Sequence, residues 1–228
     1  MENILLRYMS GRANQNNPNK VIGPVVTLSR EFGCYATEIA SMLATKLNVG
    51  RSDKMHDWHV VTKEVIEDAA QKLETTPKDI EHIFGADEKG FFGDLVTSFS
   101  SKKYSSDSLI KATITKVVQG YSDSGNVIIV GRAGCVITAK KANALHFRLV
   151  APFDYRVKQV ANFRHLSQAD ALELVKEMDE KRNKFMAFFH GDKPDSELYH
   201  SIFNRSKMES TEIVDAIYAI LISRGFNK

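Results

Sequence analysis

Arginine and glycine residues stand at three points where a predicted strand gives way to a loop. Residues 29–37 follow the apolar run 25–28, residues 131–134 follow 127–130, and residues 151–156 follow 145–150. In parallel α/β sheets, ligands bind beyond the carboxyl ends of the strands, so these loops are expected to meet at one edge. A planar guanidinium binds phosphate through two hydrogen bonds, and the pattern therefore indicates phosphate chemistry.

The first of these loops is a candidate phosphate-binding loop, because its backbone N–H groups and the following helix N-terminus favour an anion. Against the spacing GxxxxGK(S/T), only the last position matches, as Thr37, where magnesium would bind. The lysine is absent, and Arg30 is a substitute source of positive charge. An ordinary strand-to-helix connection with Gly33 in a tight turn is the alternative. The predicted cofactor-binding residues are Ser29, Arg30, Glu31, Phe32, Gly33, Cys34, Tyr35, Ala36 and Thr37.

Gly131 and Arg132 directly follow a buried strand, and they are the predicted substrate-binding residues. The arginine is expected to point into the crevice and to bind a phosphate group. A structural salt bridge is the alternative.

Two further arginines lie on predicted helices. Arg156 opens the helix after residues 151–152, where its side chain faces either the crevice or solvent, with solvent favoured by its position. Arg182 lies in the charged run DEKRNKF, 179–185. Charge at this density is typical of a solvated helix face, and the alternative is a lid that carries Arg182 over transferring phosphates.

These residues need a scaffold of buried strands that alternate with helices. The runs 25–28 and 127–130 are β-branched or apolar throughout, as in strands buried on both faces, and the run 145–150 is a third predicted strand. Apolar residues at helical spacing predict helices over 37–48, 153–163, 168–189 and 209–223. Strands alternating with helices predict a three-layer α/β fold with a parallel central sheet.

The domain organisation follows from the same patterns. Residues 1–20 read as a flexible lead-in rich in Asn, and residues 21–228 as a single domain. Residues 53–122 read as a mostly helical insertion around an irregular stretch, 85–108, and residues 179–200 as a lid.

Composition narrows the class of protein. The chain has 228 residues, 43% of them hydrophobic, and a formal net charge of +3. The basic residues are scattered, so charge does not predict a nucleic-acid partner. Two cysteines, Cys34 and Cys135, are expected to be reduced thiols. With no long apolar run, we expect a soluble, cytoplasmic protein without a membrane partner.

Taken in order, four segments resemble the cytidylate kinase-like family of P-loop proteins: VTLSREFGC (26–34), VIIVGRAG (127–134), APFDYRV (151–157) and DEKRNKF (179–185). Glu38, Ile39 and Ala40 also match the family, as does the Gly131-Arg132 pair. The family's glycines have become Tyr35 and Ala36. The missing side chain of a glycine is what lets backbone approach phosphate closely.

The resemblance implies a P-loop NTPase-type fold with ATP at residues 29–37, magnesium at Thr37 and an acceptor nucleotide near Arg132 under the helical insertion. It also implies that Arg156 and Arg182 are catalytic residues that offset charge on the transferring phosphoryl group. The first hypothesis is an ATP- and Mg²⁺-dependent kinase acting on CMP, dCMP or a related nucleotide.

Two alternatives stay open. One is a catalytically impaired nucleotide-binding regulatory protein on the same fold, and the other is a small-molecule kinase with a non-nucleotide acceptor. The oligomeric state also stays open, with a homodimer among the alternatives.

Overall fold

Five parallel strands form one sheet in the part of the chain that the structure describes. The computed structural model describes residues 23–51, 57–74, 107–190 and 197–226, and the predicted lead-in, 1–20, lies outside them. The sheet order is β2-β3-β1-β4-β5, so β1 lies at the centre. The strands are β1 Val25–Arg30, β2 His59–Val61, β3 Val127–Val130, β4 Ala144–Val150 and β5 Ser201–Asn204.

Helices connect these strands and cover both faces of the sheet. None of the described helices is long and apolar enough to cross a membrane. The helices are α1 Ala36–Asn48, α2 Glu64–Lys72, α3 Asp107–Ser124, α4 Gly134–Ile137, α5 Phe153–Arg164, α6 Gln168–His190 and α7 Ser210–Ser223.

Alternating side chains of the central strands supply two separate cores. Val26 and Leu28 of β1 pack with α1 and α7 on one face, whereas Val25 packs with α2 and α3 on the other. Burial of each such side chain contributes about 1.5–3 kcal/mol, which explains why the central strands are rich in apolar residues. The predicted three-layer α/β fold with a parallel sheet is confirmed.

The strand and helix boundaries agree closely with the sequence patterns, except in the insertion. The prediction that residues 53–122 are mostly helical is wrong at its start, because Val61 belongs to the short strand β2 and the helix begins at Glu64. Strand β5 also went unpredicted. The irregular stretch predicted over 85–108 lies almost entirely outside the described residues.

Helix α6 begins where the sequence predicts. The Ser167 hydroxyl accepts a hydrogen bond from the Asp170 backbone N–H at 3.1 Å, as an N-cap residue does. The helix is continuous to His190, and of the predicted lid, 179–200, residues 191–196 lie outside the described part of the chain.

The buried imidazole of His146, a residue of the sheet, predicts that the stability of the fold depends on pH. His146 on β4 is 4% exposed, and its Nδ1 lies 2.8 Å from the Thr27 hydroxyl oxygen. Burial, followed by the nearby His200, lowers the pKa of His146 from 6.5 to about 4. The folded protein therefore holds this ring neutral at pH values at which the unfolded chain protonates it.

The contribution of His146 to the free energy of unfolding is thus expected to be fully present above pH 6.5 and to be lost as the pH drops toward 4, by at most about 1.4 kcal/mol per pH unit. Urea unfolding across this range checks the slope. The variant His146→Asn keeps a polar partner for Thr27 but does not titrate, so its slope is expected to be shallower. Equal slopes in the two proteins would contradict this assignment.

Candidate functional site

A cavity opens at the carboxyl edge of the sheet, where the chemistry was expected. Its volume is about 290 Å³. Its walls are formed by residues at the ends of β1 and β3, by Arg148 of β4, by residues on α6 and by the residues before β5. The lining residues are Ser29, Arg30, Gly131, Arg132, Arg148, Arg182, Asn183, Phe185, Met186, Ala187, His190, Leu198 and Tyr199.

The charge of this cavity is its main chemical feature. Four arginines line it, and no carboxylate is among its described lining residues. Positive charges gathered inside low-dielectric walls raise the local concentration of anions. Among the described residues, the buried Nε2 of His190 has no hydrogen-bond partner, which leaves a polar atom for a ligand to contact. The lining therefore fits a phosphorylated ligand.

A strained backbone segment aims Arg132 at the cavity. Gly131, Arg132 and Ala133 have φ of 71°, 55° and 52°, all in the left-handed region. Non-glycine residues in that conformation cost about 1–3 kcal/mol each, and such strain clusters at functional sites. The Arg132 side chain is buried, and its Nε donates to the Thr62 carbonyl oxygen at 3.2 Å. This contact ties the arginine to the loop after β2.

Replacement of Gly131 by alanine is expected to weaken anion binding. An added Cβ would lie 1.9 Å from Nη1 of Arg30, so this guanidinium must move away. The left-handed φ adds about 1–2 kcal/mol of destabilisation. Urea unfolding and phosphate titration of Gly131→Ala check both effects. The control is Gly225→Ala, where φ is 72° and no atom lies within 4 Å of the added Cβ, so only stability should change.

The predicted phosphate loop contributes only its first two residues, Ser29 and Arg30, to the cavity. The next backbone N–H groups bond inside the protein. The Glu31 N–H donates to the Leu149 carbonyl at 3.1 Å, and the Cys34 N–H to the Glu31 carbonyl at 3.3 Å. The Phe32 N–H donates to Asp179 Oδ1 at 3.0 Å. These donors do not fit a cradle for ATP phosphates.

The middle of the loop packs beneath α5. An added Cβ at Gly33, where φ is 88°, would lie 3.0 Å from the Arg156 carbonyl oxygen, so the glycine permits this close approach. Burial, followed by the charge of Glu31, raises the pKa of the Cys34 thiol to about 12, so the thiol stays protonated and unreactive.

The last predicted loop residues also lie outside the cavity lining. Tyr35 adopts a left-handed conformation, its hydroxyl donates to the Gln159 carbonyl at 3.2 Å, and its ring centroid lies 4.7 Å from that of Phe163. Ala36 is the buried first residue of α1. Thr37 is exposed in the first turn.

The expectation that Arg156 faces solvent is wrong, since this side chain is buried. Its Nε lies 3.3 Å from Glu31 Oε2 and its Nη1 lies 2.5 Å from Asp179 Oδ2. Nη1 also donates to the Phe32 carbonyl, and Nε to the Ala151 carbonyl. Arg156 therefore joins the 31–35 loop to α5 and α6, and it is absent from the cavity lining. These contacts give Arg156 a part in structural support, and its predicted catalytic role stays a prediction.

Arg182 of α6 lines the cavity, and its guanidinium stacks 5.1 Å from the ring centroid of Phe32. Within the same charged run, Asp179 pairs with the buried Arg156, whereas Glu180, Lys181 and Lys184 belong to a solvated face. Lys181 pairs with Glu177, and Lys184 with Glu180, one helical turn away in each case. The interpretation as a solvated face therefore holds for one side of this helix, and the role of Arg182 on a lid over transferring phosphates stays a prediction.

Four polar lining residues went unpredicted: Arg148, Asn183, His190 and Tyr199. Arg148 lies within β4, where register pairs it with Ser29 of β1. Its Nη2 lies 3.8 Å from Glu31 Oε1, and its Cζ lies 5.8 Å from the centroid of the Tyr199 ring. The signal in the sequence was a charged residue inside an otherwise apolar strand.

The floor of the cavity is a chain of neutral polar groups. The Cys135 sulfur lies 3.6 Å from the Ser29 hydroxyl and 3.7 Å from the Tyr199 hydroxyl. Burial, followed by the nearby Cys135, raises the pKa of Tyr199, and burial raises that of Cys135. Both groups stay protonated near neutral pH and act as hydrogen-bond partners.

The described residues do not fit a magnesium ion held by the protein. They contain no group of three or more His, Cys, Asp or Glu side chains arranged around a metal position. Magnesium in kinases is bound by one or two carboxylates together with substrate phosphates, and the described cavity lining offers no carboxylate. The role of Thr37 in metal binding stays a prediction.

Solved structures with a similar fold include an uncharacterized protein from Eubacterium ventriosum, 18% identical, with a TM-score of 0.63 over 88% of this chain and 99% of that one. A shikimate kinase from Bacteroides thetaiotaomicron is 11% identical, with a TM-score of 0.49 over 89% and 98%. TT1252 from Thermus thermophilus is 12% identical, with a TM-score of 0.45 over 89% and 98%.

No curated protein has significant sequence similarity to this chain. A family model, in contrast, matches residues 25–207, from the first residue of β1 to just beyond β5. The match spans every strand of the sheet and all the described cavity-lining residues. Because it covers most of the sequence, the chain belongs to the cytidylate kinase-like family.

Proposed function

We propose that the protein is a phosphotransferase that transfers the γ-phosphate of ATP to a nucleoside monophosphate, with CMP or dCMP as the first candidate acceptor. The observation that carries this proposal is the cavity with four arginines and no described carboxylate in its lining. Membership of a kinase-like family supports the class of reaction.

Phosphoryl transfer needs no nucleophilic side chain. The protein has to position the reacting groups and to neutralise the charge of the phosphoryl group. Arg132 is the proposed anchor of the acceptor phosphate, because its backbone and its Nε are both fixed. Arg182 of α6 also lines the cavity and is the proposed stabiliser of charge on the transferring group. Ser29 and Tyr199 supply neutral hydrogen-bond donors at the floor.

The proposal is tested by incubating the full chain with ATP, Mg²⁺ and single nucleoside monophosphates, and by separating products by ion-exchange chromatography. We expect ADP and the nucleoside diphosphate to form in equal amounts. The variant Arg182→Met is expected to reduce turnover about a hundredfold, with Arg224→Met as an exposed charge-matched control. Absence of product with every acceptor would contradict the proposal.

A second function is favoured by the loop 31–35, because the backbone N–H groups of residues 31, 32 and 34 donate hydrogen bonds within the protein. A nucleotide-binding regulatory protein without turnover would retain the cavity but not the cradle for a donor nucleotide. Stoichiometric nucleotide binding in calorimetry, together with no product in the assay above, would establish this alternative.

A further inference from the structure

The part of α6 that lines the cavity has an arginine at one end and a histidine at the other. Four of its lining residues recur at a spacing of three and four positions, which places them on one face of the helix: Asn183, Met186, Ala187 and His190. Arg182 lies at the start of this stretch. At about 1.5 Å per residue, His190 lies about 12 Å further along the helix axis. The arginine end fits a phosphate group, so the histidine end faces another part of the ligand.

The side chains near the histidine end offer room and apolar contact. Ala187 is exposed on the helix and lines the cavity, so its small side chain leaves space beside the helix. Met186 and Leu198 line the same cavity. A methionine thioether makes favourable contacts with aromatic rings, and ligand pockets combine such apolar surface with a few polar groups. This end of the cavity therefore fits a flat ring.

The polar group at this end is the imidazole of His190. Its Nε2 is buried, and it has no hydrogen-bond partner among the described residues. Buried polar atoms in native proteins are nearly always hydrogen-bonded, because an unpaired one has lost its contact with water without compensation. His190 lines the cavity, so a ligand bound there can supply the partner. A polar atom at the edge of a ring is a suitable one.

We propose that His190 is a specificity-determining residue that binds the base of the acceptor nucleotide through Nε2, while the phosphate of the same nucleotide lies among the arginines. The base is the part of a nucleoside monophosphate furthest from its phosphate, and it is a flat ring with polar atoms at its edge. The histidine end offers contacts for both features. This inference rests on the proposed function, and it deepens that function by naming the residue that recognises the acceptor beyond its phosphate.

The four ribonucleoside monophosphates and ribose 5-phosphate are the probes, titrated into the full chain by calorimetry without ATP. Ribose 5-phosphate carries the same phosphate monoester but no base. The best-bound nucleotide is expected to bind wild-type protein at least about tenfold more tightly than ribose 5-phosphate. In His190→Leu this preference is expected to shrink to about threefold or less, because the hydrogen bond to the base is lost. The affinity for ribose 5-phosphate is expected to stay unchanged.

Two further variants separate the hydrogen bond from the shape of the site. His190→Gln carries an amide group with a reach similar to that of Nε2, so most of the preference is expected to return. Ala187→Leu fills the space for the ring, so the preference is expected to fall although His190 is intact. Thermal unfolding verifies that each variant is folded.

The matched control is His165→Asn, which removes an exposed histidine that is not among the described lining residues. Asparagine tolerates the left-handed backbone found there, where φ is 55°. This variant is expected to keep the full preference.

The imidazole nitrogen itself gives a readout that a purely structural role would not move. In long-range ¹H–¹⁵N NMR spectra, the Nε2 resonance of His190 is assigned by its loss in His190→Gln. It is expected to shift when the best-bound nucleotide is added and to stay in place with ribose 5-phosphate. An unchanged preference in folded His190→Leu, an equal loss of affinity for ribose 5-phosphate, no preference in the wild type, or an unmoved Nε2 resonance would overturn the inference.

The outcome is separable from that of the proposed function, because the titrations contain no ATP and need no turnover. An inactive protein that still selects a nucleotide through His190 would overturn kinase activity alone. An active kinase in which His190→Leu leaves the preference unchanged would overturn this inference alone.

Discussion

Replacement of Arg156 by methionine is expected to lower the free energy of unfolding by about 3–5 kcal/mol. The substitution removes a buried arginine that pairs with both Glu31 and Asp179, and breaking a buried ion pair on one side is strongly destabilising. It also removes the donors to the Phe32 and Ala151 carbonyls. Urea-induced unfolding at neutral pH measures the change.

The control for this prediction is Arg224→Met, which removes the same charge at an exposed position. Its expected cost in stability is within about 0.5 kcal/mol, as for most surface substitutions. If Arg156→Met proved as stable as wild type but lost activity, the catalytic role first predicted for Arg156 would stand and its structural assignment would be wrong.

The second large effect is expected at Arg132. Truncation of one partner of a buried charge-assisted contact costs about 2–5 kcal/mol of binding free energy. Arg132→Met should therefore raise the dissociation constant for the acceptor nucleotide about thirtyfold or more. Calorimetric titration of the nucleotide measures this change.

The conservative variant separates charge from geometry at the same position. Arg132→Lys retains the charge but cannot form two parallel hydrogen bonds with phosphate, so an intermediate affinity is expected. Arg224→Met should bind as wild type does. Unchanged affinity in Arg132→Met would remove this residue from the site.

The central part of the fold could be predicted because its strands are buried on both faces. The β-branched and apolar runs 127–130 and 25–28 were predicted as strands, and they correspond to Val127–Val130 and to most of Val25–Arg30. The two edge strands, β2 and β5, could not be predicted from the sequence. His59–Val61 has three residues, Ser201–Asn204 is only partly buried, and neither segment carries a periodic pattern long enough to separate it from a loop.

The site was predictable where a residue directly follows a strand. Gly131 and Arg132 met that condition and line the cavity. Arg148 does not directly follow a strand. It lies within β4, and the direction of its side chain depends on the register of β4 with β1. The surroundings of Arg156 depend on Glu31 and Asp179, which only the tertiary fold brings to it. A sequence pattern carries no information on such distant pairing.

The hydrogen bond between the Phe32 N–H and Asp179 also determines when, during synthesis, the loop after β1 can acquire its final contacts. Its two partners are 147 positions apart. At about 5–20 residues per second, a ribosome needs about 7–30 s to add the chain between them. Throughout that time the loop after β1 lacks the carboxylate that holds it, although β1 itself has long been made. The loop between β1 and α1 is therefore among the last parts of the nascent protein to reach its final conformation.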